Sequence, residues 1–129
     1  MATLTREFIL DVPPDTVWSR ISDVGAVNQL IDFIGEVTVE GDHRSCSMGD
    51  HGTLDELIVS VDADRKRLVY AITQSPFQFE HHSASMQAAA DGDDRTRFLW
   101  TTDFKPDSVA PALEEAIDMA VDSIKRTLS

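Results

Sequence analysis

The stretch PDSVAPALEEAIDMAVDSIKRTL, residues 106–128, decides the fold. Within it Val109, Leu113, Ile117, Val121, Ile124 and Leu128 recur at intervals of three or four, which gathers them on one side of a helix. Asp107 or Ser108 is placed to cap that helix, and Pro111 is tolerated in its first turn. Glu114 and Glu115 then lie near the positive end, and Lys125 and Arg126 near the negative end. So continuous an apolar stripe needs a large apolar surface to cover it, and the rest of the chain must supply one.

What precedes the helix is mostly strand. Residues 3–12 alternate, with Leu4, Phe8, Leu10 and Val12 on one face. Pro13-Pro14 ends that strand and opens a short helix whose apolar side is Val17, Trp18 and Ile21. Gly25 breaks it, and residues 26–31 read as a second short helix with Val27, Leu30 and Ile31 inward. Further strands are expected over 36–40, 44–48, 54–61, 68–73, 79–89 and 96–104, separated by glycine- and aspartate-rich turns. Strands followed by a closing helix predict an α+β protein rather than a parallel α/β sheet. The expected form is one domain over residues 1–129, a curved antiparallel sheet of seven strands around the long C-terminal helix, with two short helices after strand 1. Where such a sheet splays away from its helix, side chains leave a wedge unfilled, so an apolar cavity is expected between the two.

The charge pattern excludes some partners. With 23 acidic against 11 basic side chains the formal charge is -12, which repels nucleic acid and anionic membrane surfaces. Cys46 is alone, so no internal disulfide is possible and no oxidising compartment is needed. Residues 1–6 lack the charged and apolar regions of a signal peptide, and no apolar run approaches membrane-spanning length. The expectation is a cytoplasmic monomer or homodimer that does not insert into membranes.

The densest chemistry lies in residues 79–89. In a strand His81 and His82 point to opposite faces. His82 and Glu80 share a phase with Ala84, Met86 and Ala88, which makes that phase the inward one. His82 is therefore the titratable candidate in the cavity. Three roles are open to it: proton transfer near neutral pH, an anchor for a ligand carbonyl or phenol, or a structural histidine bonded to a neighbouring strand. A metal site is not expected, because the two rings face apart and His43 and His51 fall in turns.

Glu56 shares a phase with Leu54 and Ile58, yet Leu57, Val59 and Val61 make the other phase equally apolar. Two placements stay open. Facing inward, its carboxyl is desolvated or pairs with His82 or an arginine such as Arg6. Facing the rim, it joins a cross-strand ion pair, the preferred placement. His82 and Glu56 are thus the candidate catalytic residues. Tyr70 and Trp100 supply aromatic wall whose polar tips are either free to orient a ligand or packed in the core. With His82, Ala84, Met86 and Phe98 on the sheet, and Ile117 and Val121 on the helix, they make up the candidate ligand contacts. Residues 74–78 form either an ordinary turn or part of the pocket mouth, with Phe77 as its gate. Cys46 reads as a small buried or edge residue rather than a nucleophile. No phosphate-cradling glycine loop or nucleophile elbow is present, and no cofactor is expected.

Several pieces of the chain together resemble a known family. These are Val12-Pro13-Pro14-Asp15-Thr16-Val17-Trp18, Asp23-Val24-Gly25-Ala26-Val27, Gly52-Thr53-Leu54-Asp55-Glu56, Arg67-Leu68-Val69-Tyr70, His81-His82-Ser83-Ala84-Ser85-Met86-Gln87 and Trp100-Thr101-Thr102-Asp103. In order and spacing they resemble the START-like helix-grip (SRPBCC) superfamily, in its bacterial polyketide cyclase/dehydrase-like branch. The resemblance implies a pocket between sheet and helix that takes small hydrophobic or aromatic molecules. Because that fold is shared by enzymes and non-enzymes, it leaves two main functions open. One is a binding module. The other is a cyclase/dehydratase in which His82 or Glu56 moves a proton. A protein-interaction role ranks third.

Overall fold

The computed structural model describes residues 1–128. Strand β1 (Ala2–Leu10) leads into helix α1 (Pro14–Ile21) and a 3₁₀ segment, Val24–Gln29. Strands β2 (Val37–Glu40), β3 (His43–Ser47), β4 (Thr53–Asp62), β5 (Arg67–Gln74), β6 (His81–Ala90) and β7 (Thr96–Lys105) follow, and helix α2 (Ala110–Thr127) closes the chain. All seven strands form one antiparallel sheet in the order β1-β7-β6-β5-β4-β3-β2. This is the α+β helix-grip arrangement that the order of elements predicts.

Each element follows from its local sequence. The β6–β7 hairpin turns at Gly92, whose φ of 80° suits a residue without a Cβ. Strand β4 has register shifts between Asp55 and Glu56 and between Ile58 and Ser60. Such irregularities bend a strand and increase its twist, which lets the sheet curl around α2. The buried face of α2 is Leu113, Ile117, Ala120, Val121 and Ile124, and Leu128 just beyond it is buried too.

Two helix details differ from the sequence reading. Neither Asp107 nor Ser108 caps α2: Asp107–Val109 is a separate 3₁₀ turn, and α2 begins at Ala110 without a side-chain cap. The second short helix starts earlier than expected and is 3₁₀, kinked at Ala26 (φ -116°, ψ 24°). Tertiary contacts hold it instead. The Ser123 hydroxyl donates to the Leu30 carbonyl and accepts from the Asp32 N–H, each at 2.9 Å, tying α2 to this segment.

The core is tightest beneath the C-terminal half of α2. Phe8 and Phe98 stack there with ring centres 4.8 Å apart, and Phe98, Leu10 and Ile124 are fully buried. Beneath the N-terminal half the sheet splays and a space remains.

Candidate functional site

That space is a partly open cavity of about 90 Å³, bounded by the inner face of the sheet, the short helical segments and the first half of α2. Its wall is mainly apolar, with Leu113, Ala116, Ile117 and Ala120 from the helix side. Of the sequence-predicted residues, Glu56, Tyr70, His82, Met86, Trp100 and Ile117 line it. Ala84, Phe98 and Val121 are buried outside its lining. Phe98 is committed to Phe8, Val121 lies a turn further along α2, and the Ala84 methyl is flanked in the sheet by the larger Tyr70 and Thr102. Glu80, expected on the inward phase, is exposed, because β6 begins only at His81.

The position of His82 follows from where strand pairing ends. The β5–β6 ladder runs from Arg67 opposite Gln87 to Tyr70 opposite Ala84 and stops there. Continued, it would set Ile72 opposite His82. Instead the Ile72 N–H donates to His82 Nδ1 at 2.9 Å, so the imidazole stands in for the missing carbonyl. A neutral imidazole that accepts at Nδ1 carries its proton on Nε2. Burial, reinforced by His81, pushes the His82 pKa down to about 4. At neutral pH His82 is therefore uncharged, and its basic nitrogen is occupied. Of the three roles open to His82, the bond to a neighbouring strand is present, and Nε2–H leaves it a hydrogen-bond donor. No group among the described residues bonds Nε2, and His82 is among the residues that line the cavity.

Tyr70 is held similarly. Trp100 Nε1–H donates to the Tyr70 hydroxyl at 3.1 Å, which uses up the only polar group of Trp100. Burial, then the charge of Glu56, push the Tyr70 phenol well above its ordinary range, so it keeps its proton and remains a donor.

Glu56 faces inward, and its partner is Arg44, a residue the sequence reading did not single out. The two sit directly opposite each other on β4 and β3, with Arg44 Nε 2.7 Å from Glu56 Oε1 and both side chains about 5% exposed or less. The pair is cross-strand, as preferred, but buried rather than at the rim. Arg44 Nη1 also donates to the Val24 carbonyl at 3.1 Å, and the guanidinium lies 5.8 Å from the Tyr70 ring centre. Burial raises the Glu56 pKa against the pull of Arg44. Glu56 Oε2 has no protein partner among the described residues. Arg6 does not reach Glu56; it binds Asp118 and Glu114 of α2, at 2.7 Å and 3.1 Å, on the outside.

The remaining candidates fall into place around this group. Phe77 lines the cavity and meets Phe79, whose ring centre is 4.9 Å from that of His82, so the β5–β6 connection borders the site. Cys46 is fully buried, and its thiol is pushed up to about 11 by burial and by Glu56. Among the described residues no cluster of three histidine, cysteine or acidic side chains is placed to hold a metal ion.

Residues 1–129 match the protein family described as polyketide cyclase/dehydrase and lipid transport. The chain belongs to that family. No curated protein matches it in sequence. Among solved structures, the XoxI protein of Bacillus cereus superposes with a TM-score of 0.91 at 15% identity, covering 99% of this chain and 96% of that one. A Thermobifida fusca protein gives a TM-score of 0.86 at 26% identity, with 98% and 93% covered. Norcoclaurine synthase from Thalictrum flavum, solved with dopamine and hydroxybenzaldehyde, gives 0.75 at 13% identity, with 97% and 84% covered. At these distances the last likeness is one of fold, and the chemistry of this polyketide cyclase/dehydrase family member rests on its own cavity.

Proposed function

We propose that this chain is a cytoplasmic binding protein for a small, mainly apolar and preferably aromatic molecule, held in the cavity between sheet and α2. One observation carries the reading: the cavity is apolar, and His82 and Tyr70 set two fixed donors, His82 Nε2–H and the Tyr70 O–H, in its wall. Donors locked in one protonation state suit a ligand carbonyl or phenolic oxygen. The related fold of norcoclaurine synthase, which holds an aromatic aldehyde and an aromatic amine, supports such a use. At about 90 Å³ the cavity is smaller than the ~150 Å³ space known to accept benzene. A ring therefore fits only when the lining yields, and Met48 and Met86 are the side chains most able to adapt. Native mass spectrometry of protein purified from its own host tests this. A co-purifying aromatic molecule is the expected result, and ligand-free protein that also refuses added aromatics would overturn it.

Glu56 favours a second reading, a cyclase/dehydratase. A desolvated carboxylate with one unpartnered oxygen beside an apolar cavity is suited to remove an activated α-proton, with Tyr70 and His82 polarising the carbonyl. Turnover of a poly-β-ketone mimic that is lost in Glu56→Gln supports this reading. No turnover by the wild type removes it.

A further inference from the structure

The charges around the cavity identify the ligand further, and this step rests on the binding reading above. Four titratable side chains besides Tyr70 line the space: Arg20, Arg44, Glu56 and His82. His82 is neutral, and Arg44 is matched by Glu56 and the Val24 carbonyl. Arg20 is different. It stands at the end of α1, half-buried, and its only protein hydrogen bond among the described residues is a long one, 3.4 Å from Nη2 to the Gln29 carbonyl. Among the described residues no carboxylate pairs with it, although acidic residues outnumber basic ones 23 to 11 in this chain. The lining therefore carries one uncompensated positive charge with Glu56 ionised, and two with it protonated.

Every other guanidinium near this end of the molecule has an acidic partner: Arg44 has Glu56, and Arg126 has Asp32. A half-buried guanidinium that lines an apolar cavity without an acidic partner among the described residues keeps donors free for a ligand anion. We infer that the cavity takes an amphipathic monoanion, an apolar body with a single carboxylate-like head, and that Arg20 receives the head at the α1 side. The body lies against Ile21, Ile31 and Leu113, and a carbonyl or hydroxyl along it reaches Tyr70 or His82. The overall charge of -12 opposes this only at long range, because at physiological salt exposed charges are screened beyond about 8 Å.

Three probes with one body and different heads test the assignment: phenylpropanoate, phenylpropanol and phenylpropylamine, measured by calorimetric titration. The carboxylate binds about tenfold tighter than the alcohol, and the amine binds weakest, given that charge-assisted bonds are roughly twice as strong as neutral ones. Arg20→Gln brings the carboxylate-to-alcohol ratio toward one, while Arg20→Lys keeps most of it. Equal affinities for alcohol and carboxylate in the wild type, or a ratio that survives in Arg20→Gln, overturn the anion assignment and leave the binding reading intact. Failure of all three probes to bind overturns both.

Discussion

His82 accepts the backbone N–H of Ile72 at the point where the β5–β6 ladder has ended, with 2.9 Å between Ile72 N and Nδ1. The bond fixes the tautomer and disfavours protonation, so His82 behaves as a neutral donor rather than as a pH switch in the physiological range. It also accounts for a part-buried N–H that the splayed sheet would otherwise leave unpaired.

The first prediction concerns acid stability. The folded pKa is near 4 and the reference value 6.5, so between these limits the unfolded chain binds more protons. Stability should fall as pH drops through that window and should be insensitive to His82 above it. The full contribution is on the order of 3 kcal/mol. His82→Gln, which keeps an acceptor but does not titrate, should show a flatter urea-unfolding profile between pH 6.5 and 4. An NMR titration of the His82 ring with a midpoint near 6.5 would contradict this.

The Arg44–Glu56 pair gives the second. Glu56→Ala strands a buried guanidinium, which costs about 3–5 kcal/mol. Replacing both partners, as Arg44→Met with Glu56→Leu, should recover most of that loss. Chemical denaturation of the two single variants and the double variant reads the coupling. Simple addition of the single losses would show that the two side chains do not act as a pair.

Cys46 gives the third. A fully buried thiol pushed up to about 11 is almost entirely protonated and shielded at neutral pH. Alkylation of the native protein should be slow and should become fast on denaturation. Rapid stoichiometric labelling of the folded protein at neutral pH would contradict this placement.

Much of the fold was legible because it depends on periodicity. The Leu113–Ile117–Val121–Ile124 stripe and the strand alternation around Phe98 and Trp100 each assign a face without knowledge of the partner. The site was less legible because it depends on register. Glu56 lies beside one irregularity of β4 and just before another, so its facing could not be counted from either end. Its pairing with Arg44 exists only because β3 and β4 set the two opposite each other. His82 was placed on the inner phase by alternation alone, but its protonation depends on where a neighbouring ladder stops. Arg20 gave no periodic signal, since its interest lies in having no carboxylate partner among the described residues.

The most direct test of the central claim, that the hollow between sheet and α2 is a ligand site, is an NMR titration with hydroxybenzaldehyde. The Ile72 amide and the His82 Nε2–H resonances should shift saturably in the wild type. Ala120→Phe, which places a ring in the space, should abolish the shifts while the protein stays folded. Unmoved resonances at Ile72 and His82, or equal binding by the filled variant, would contradict the account.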